Sequence, residues 1–229
     1  MRQLSVTTTY QERLWGYIYL AAEILVLPLI LGICNLFFNL HLSDATLNFL
    51  YFFINFLVVT GILYRFLLNN VKIALRIFPT VLITAGIGFV LYTASSVALS
   101  AAIRKLFPIY INANDSYIST LLSEKFALMF IGTAVLVPVA EELLYRGLIF
   151  NGLYNKNRLM AYLVSTLAFS VLHVYGYADT LSPIQLFLSL LEYIPAGLCL
   201  AWSYAKTDTI VTPIFIHMIV NSTAVLAMR

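Results

Sequence analysis

The sequence predicts an all-α, polytopic transmembrane helix bundle with about seven spans and a central polar cavity. Three observations carry that expectation. Of 229 residues, 62% are hydrophobic and only 10% charged, with a mean hydropathy of +0.92, whereas an ordinary soluble domain is about 45–50% apolar and about 25% charged. Apolar runs of roughly 20 residues, the length that crosses ~30 Å of hydrocarbon, recur along the chain. Several ionisable residues sit inside these runs rather than between them, where insertion scales charge about 2.5–3.5 kcal/mol for Arg, Lys or Asp.

Taken in order, Arg2 and Arg13 precede an apolar run that starts near Leu14. The run is long, contains Glu23 and lacks a small-residue cleavage site, so it reads as an uncleaved first helix over 14–39 rather than a signal peptide. Further helices are expected over 46–69, 79–103, 125–153, 159–175, 183–204 and 209–227. The mixed basic stretch Asn70 to Phe78 suits the membrane interface. Arg104 to Glu124 is the longest loop, marked by Pro108 and Asn112-Ala113-Asn114-Asp115-Ser116. Its apolar Ile109, Tyr110 and Leu121 suggest an amphipathic helix on the membrane surface. The chain divides into residues 1–123, N-terminal helices with the interfacial loop, and residues 124–229, the bundle that carries the polar kit. Cys34 and Cys199 lie in apolar segments and read as small core residues, neither a disulfide nor a metal site. The net charge of +3 is small and dispersed, which argues against a nucleic-acid partner. The partners expected are the lipid bilayer and a membrane-associated peptide or protein.

Lys and Arg counts orient the bundle. With the N-terminus inside, Arg2, Arg13, Arg65, Lys72, Arg76, Lys156, Arg158 and Lys206 are cytoplasmic, against Arg104, Lys105, Lys125 and Arg229 outside, eight to four. The loops near His41 and Asp179 hold neither Lys nor Arg. The expectation is a multi-pass protein with its N-terminus in the cytoplasm and its C-terminus outside. The compact chain suits a bacterial plasma membrane.

The run Phe126 to Tyr154 contains Glu141-Glu142-Leu143-Leu144-Tyr145-Arg146. Glu141 lies roughly 16 Å from the cytoplasmic end of its helix, His173 roughly 21 Å in, and His217 and Asn221 roughly 12 and 18 Å in, at about 1.5 Å per residue. Polar groups from separate helices thus share one slab near the middle of the bilayer. Spacing of four pairs Glu142 with Arg146, stacks Phe169 on His173 and aligns His217 with Asn221. Glu141, turned about 100° from Glu142, is left facing a cavity as an unpaired carboxylate, which suits a general base. Pro138 and Pro213 remove backbone hydrogen bonds near the acidic pair and His217, which membranes tolerate beside protein or a wet cavity. Taken singly, the Glu–Arg pair also fits a structural clamp and a lone His an interhelical hydrogen bond. Glu23 and Glu192 have no motif around them; Glu192, beside Pro195, is placed to line the same cavity without a direct catalytic role.

Glu-Glu-x-x-x-Arg at 141–146, Phe-x-x-x-His at 169–173 and His-x-x-x-Asn at 217–221, with the lead-in Thr207 to Ile214, occur in the order and spacing of the CPBP intramembrane endopeptidases, which include the type II CAAX prenyl endopeptidases and bacteriocin-processing or self-immunity proteins. The chain resembles that family over roughly 125–229; the first three helices share only hydrophobicity. The resemblance implies that Glu141 activates a water for attack on a peptide carbonyl, with His173 holding or deprotonating it. It further implies that His217 and Asn221 donate to the oxyanion, that Glu142 and Arg146 orient the helix, and that Phe169 packs the cavity wall. No cofactor is favoured. Zinc on Glu141, His173 and His217 is the chemical alternative, weakened by the lack of His-Glu-x-x-His. The function expected is intramembrane endopeptidase cleavage near the cytoplasmic leaflet. The alternatives are a non-catalytic immunity or binding protein and a transporter, the latter weakened by the absence of repeated halves.

Overall fold

The computed structural model describes residues 3–229; Arg2, counted above on the cytoplasmic side, lies outside the described residues. Thr9 caps α1 (Tyr10–Leu25): its hydroxyl accepts the Glu12 amide and Glu12 Oε2 accepts the Thr9 amide, a reciprocal box that satisfies two end donors. Pro28, in the first turn of α2 (Leu27–Phe37), cannot donate back into α1, and the two helices meet at a 48° bend. The expected helix over 14–39 is therefore a bent pair.

The helix expected over 46–69 is also two. α3 (Asp44–Ile62), capped by Ser43, stops at Leu63, and α4 (Tyr64–Arg76) starts again. The second oxygen of Glu12 accepts the Phe66 amide at 3.0 Å, satisfying an end donor of α4 from 54 residues away. α5 (Phe78–Leu106) carries Pro79 in its first turn and takes up Arg104 to Leu106, so the connection to α6 is only residues 107–112 rather than a loop from Arg104 to Glu124. α6 (Ala113–Tyr154) is a 42-residue helix capped by Asn112. It kinks at Lys125 (φ −142°, ψ 73°), which separates residues 113–124 from the apolar remainder. Two stretches of α6, Gly132–Leu136 and Leu143–Phe150, are π-helical, flanking Val137–Glu142.

α7 (Arg158–Val174), α8 (Pro183–Thr207) and α9 (Val211–Ala227) complete the order. α3, α5, α6, α8 and the 20-residue span Arg158–Tyr177, which is α7 with the tight turn that continues it, are long and apolar enough to cross a membrane, and the bent α1–α2 pair makes a sixth. α9 is apolar but only 17 residues, about 25 Å at 1.5 Å per residue. The seventh expected span is thus a shorter helix, because Asp208, left-handed at φ 58°, ends α8 and the chain turns until Ile210.

The bundle is apolar outside and polar within. Leu29, Ile33, Ile83, Val90 and Leu167 are exposed, while Glu142 and Arg146 are fully buried. Leu63, Phe66, Leu143, Leu148, Phe150, Tyr204 and Ile210 form the largest apolar cluster, locking α3, α4, α6, α8 and the start of α9 together. At this end the N-terminal segment is strapped down. Leu4 exchanges hydrogen bonds with Asn155, Asn151 donates to the Val6 carbonyl, and the Ser5 amide donates to Asp208. Asn70 of α4 accepts the Ile210 amide and Thr209 Oγ1 donates to the Asn70 carbonyl, which sets the angle at which α9 enters the bundle.

Candidate active site

The three sequence motifs converge. Glu142 Oε1 accepts Arg146 Nη1 at 3.1 Å, so the carboxylate and guanidinium four apart on α6 are paired with both side chains fully buried. The same oxygen accepts His217 Nδ1 at 3.0 Å, bringing α9 to α6. Arg146 also donates through Nη2 to the Gly197 carbonyl at 3.2 Å and lies 4.6 Å over the Phe169 ring. One guanidinium therefore joins α6, α7 and α8. Gly197 allows that approach: a Cβ there would sit 2.6 Å from Thr166 Cγ2 and 3.1 Å from Thr166 Cα.

Glu141 points elsewhere. Its Oε2 lies 3.8 Å from His173 Nε2 and 3.9 Å from His217 Nε2, and it has no hydrogen-bond partner. His173 Nδ1 contacts the Phe169 carbonyl at 2.8 Å, and a carbonyl only accepts, so the proton of a neutral imidazole is on Nδ1. The same reasoning holds for His217, whose Nδ1 meets a carboxylate already paired with Arg146. Both rings thus turn an Nε2 lone pair towards one carboxylate oxygen. Phe169 packs on His173 at 4.4 Å, and Tyr193, not anticipated from the sequence, packs on the same imidazole at 4.4 Å while lying 6.4 Å from Phe169. Asn221 Nδ2 donates to the Thr133 carbonyl in the first π-helical stretch at 2.9 Å, which occupies one of its two N–H groups.

These residues line a cavity of about 1240 Å³. Glu141, His173, His217 and Asn221 face it; the Glu142–Arg146 pair lies behind its wall. The cavity extends past Tyr51 and Tyr92 to Arg104, Asn112, Asp115 and Tyr175, towards the face that carries connections 107–112 and 175–182. That is the end opposite the N-terminal strap, whereas the sequence placed cleavage near the cytoplasmic leaflet with the N-terminus on the same side. That Glu141 faces a cavity was legible; the direction in which the cavity opens depends on how α2, α5 and α6 are arranged around it, which no local pattern records.

Glu192 lines the outer part of the cavity and is fully engaged. It accepts Ser100 Oγ at 2.8 Å, Tyr110 Oη at 2.9 Å and Asn112 Nδ2 at 2.7 Å, fastening connection 107–112 to α5 and α8. Its neighbours are 80 to 92 positions away in sequence, so no motif marks it. Among the described residues no group of three His, Cys, Asp or Glu is arranged to hold a metal ion. Glu141, His173 and His217, the trio of the zinc alternative, are spread to 3.8 and 3.9 Å, wider than the about 3.3 Å between tetrahedral ligands with zinc bonds near 2.0–2.1 Å.

Comparison with known proteins agrees with this geometry. Residues 123–223 match the family described as type II CAAX prenyl endopeptidase Rce1-like, and the stretch contains all seven motif positions. The chain is 35% identical over 100 residues, 43% of its length and 36% of the relative's, to YdiL, a candidate membrane peptidase of Bacillus subtilis. It is 30% identical over 87 residues, 38% of its length and 42% of the relative's, to the UPF0177 protein YxdF of Lactococcus lactis. It is 25% identical over 109 residues, 46% and 41% of the two chains, to the membrane-embedded CAAX protease MroQ of Staphylococcus aureus. The matched stretch spans about two fifths of the length of these relatives. No solved structure matches. Residues 123–223 of this multi-pass membrane protein are thus similar to the Rce1-like type II CAAX prenyl endopeptidases.

Proposed function

We propose that the protein is an intramembrane endopeptidase that hydrolyses a membrane-associated peptide or protein with a glutamate-activated water. One observation carries this reading: Glu141 alone among the motif carboxylates has no hydrogen-bond partner, and it meets two imidazole Nε2 atoms inside the cavity. Gaps of 3.8 and 3.9 Å are too long for direct hydrogen bonds and suit a water bound among the three groups.

In this mechanism Glu141 takes one proton from the water while the second O–H points at His173 Nε2. The water oxygen bonds to the scissile carbonyl carbon, and the carbonyl pair moves onto its oxygen. Asn221 offers its second N–H to that oxyanion, and donors aimed at developing charge in a dry site are worth far more than in water. His217 Nδ1 is committed to Glu142, so a neutral His217 turns an acceptor towards the water and leaves the oxyanion to Asn221. Collapse breaks the C–N bond, and Glu141 returns its proton to the departing amine. Residues 124–229 supply the chemistry, and the helices of 1–123 wall the cavity.

With the N-terminus cytoplasmic in a plasma membrane, as the charge count favours, the cavity faces outward and substrate enters from the outer side. The turning of both Nε2 lone pairs towards Glu141, each Nδ1–H held by an acceptor, also matches how metal-binding histidines are oriented, which keeps zinc as the second reading. Bacteriocin processing, self-immunity and CAAX-type processing are the substrate classes in view, and the non-catalytic alternative is a membrane immunity or binding protein. Membranes carrying wild type or Glu141→Gln, with and without a strong chelator, are compared for released peptides by mass spectrometry. Cleavage lost in Glu141→Gln and insensitive to chelator is expected. Cleavage unchanged in the variant overturns Glu141 as the base, and loss on chelation transfers the mechanism to metal. Biological protection that survives alanine at Glu141, His173 and His217 together favours the binding protein.

A further inference from the structure

Glu23 is a second carboxylate in the cavity, contributed by α1, outside the family-matched stretch. It is 6% exposed. The other buried acidic residues are all engaged: Glu12 by the Thr9 and Phe66 amides, Glu142 by Arg146 and His217, and Asp208 by the Ser5 amide. Glu23 accepts the Tyr51 hydroxyl only through its backbone carbonyl, and among the described residues its carboxylate has neither hydrogen bond nor ion pair. An uncompensated charge in low dielectric is costly unless a partner arrives.

The surroundings indicate which partner. Glu23 and Glu141 line the same cavity. Asp115 and Glu192 also line the cavity, while the one Lys or Arg on its described wall is Arg104, near Asp115. Tyr51 and Tyr145 present aromatic rings to the same space, and such faces attract cations. We infer that Glu23 recognises a positively charged group of the peptide substrate, a Lys or Arg side chain or a free α-amine, and seats it beside Glu141. The inference rests on the peptidase reading. It makes Glu23 a specificity residue: the cation gives the buried carboxylate a charge-assisted hydrogen bond, and a neutral peptide leaves it without a partner.

The test reads binding apart from cleavage. The full chain carrying Glu141→Gln, with or without Glu23→Gln, is placed in nanodiscs, with empty nanodiscs as blank. The probes are an amidated, BODIPY-labelled apolar decapeptide with one lysine and its norleucine counterpart, each with a free or acetylated N-terminus. Fluorescence anisotropy is expected to show at least tenfold tighter binding of a charged probe than of the acetylated norleucine probe when Glu23 is present. All four probes are expected to agree within twofold in Glu23→Gln. Preference that persists on acetylation assigns the side chain, and preference that vanishes assigns the α-amine; both support the inference. No preference with Glu23 intact, or less than threefold loss in Glu23→Gln, overturns it. Because the carboxylate has no partner, Glu23→Gln is expected to melt no lower than its parent, and Glu23→Met serves as the second neutral variant. Parallel cleavage assays with the Glu141-containing protein separate the two ideas: binding selectivity without cleavage defeats the peptidase reading alone, and cleavage without selectivity defeats this one.

Discussion

Arg146 shows what a single buried side chain does here. It neutralises Glu142, accepts no compromise in packing over Phe169, and reaches the Gly197 carbonyl. Arg146→Met keeps much of the volume but strands Glu142 without its cation. Breaking a fully buried pair costs about 3–5 kcal/mol, so the variant is expected to unfold at clearly lower temperature in detergent. Glu142→Gln with Arg146→Met removes both charges and is expected to recover a large part of that loss. A double variant no more stable than Arg146→Met contradicts the pairing. The pair itself was legible, since residues four apart on a helix meet whatever surrounds them. The hydrogen bond from His217 Nδ1 to Glu142 was not, because it depends on the bearing of α9 against α6. Nor was the Thr133 carbonyl as partner of Asn221, which exists where the α6 backbone is π-helical. Glu23 had no motif, and its importance lies in lacking partners its neighbours have, a property that appears only once the neighbours are placed.

At the scale of elements, apolar length indicated where helices run but not where they break. Leu63 interrupts a continuous apolar run, and an end donor of the restarted helix is satisfied by Glu12 from another helix. Local pattern contains no trace of such a cap. Shortening of the 104–124 loop has a similar origin, since Glu192 and its three donors hold residues 107–112 against α8. The α7–α8 contact at Gly197 leaves no room for a side chain. Gly197→Ala would press a methyl group into Thr166, whose Cα cannot yield without moving α7. Overpacking of this kind costs about 1–3 kcal/mol, and the displaced carbonyl would also leave Arg146. Thermal unfolding of Gly197→Ala is expected to show that loss. Thr166→Ser, which removes the nearest methyl group, is expected to restore part of it. A Gly197→Ala protein as stable as wild type refutes the close approach.

For the whole molecule, the central consequence is polarity. The N-terminal strap, the turn at Asp208 to Ile210 and the start of α7 form one end, while the cavity runs towards connections 107–112 and 175–182 at the other. If the charge count sets the orientation, a Cys34→Ala, Cys199→Ala protein carrying Ser116→Cys is expected to react with a membrane-impermeant maleimide in intact cells. Lys156→Cys in the same background is expected to react only after lysis. The reverse pattern turns the protein over and moves substrate entry to the cytoplasm. All-helical architecture was readable from hydropathy, and the convergence of the motif residues on one cavity from their spacing. The direction of the opening was not, because it arises from helices that spread apart rather than from any residue's type.

The Glu142–Arg146 pair also bears on biogenesis. The guanidinium and its counter-charge belong to one helical segment, so α6 carries a locally neutral turn as it leaves the translocon, before α7, α8 or α9 has been synthesised. The later partners, the Gly197 carbonyl and His217, then refine an ion pair already formed. A segment with its two charges on separate helices would have to wait in lipid for its neutraliser; this one brings it along.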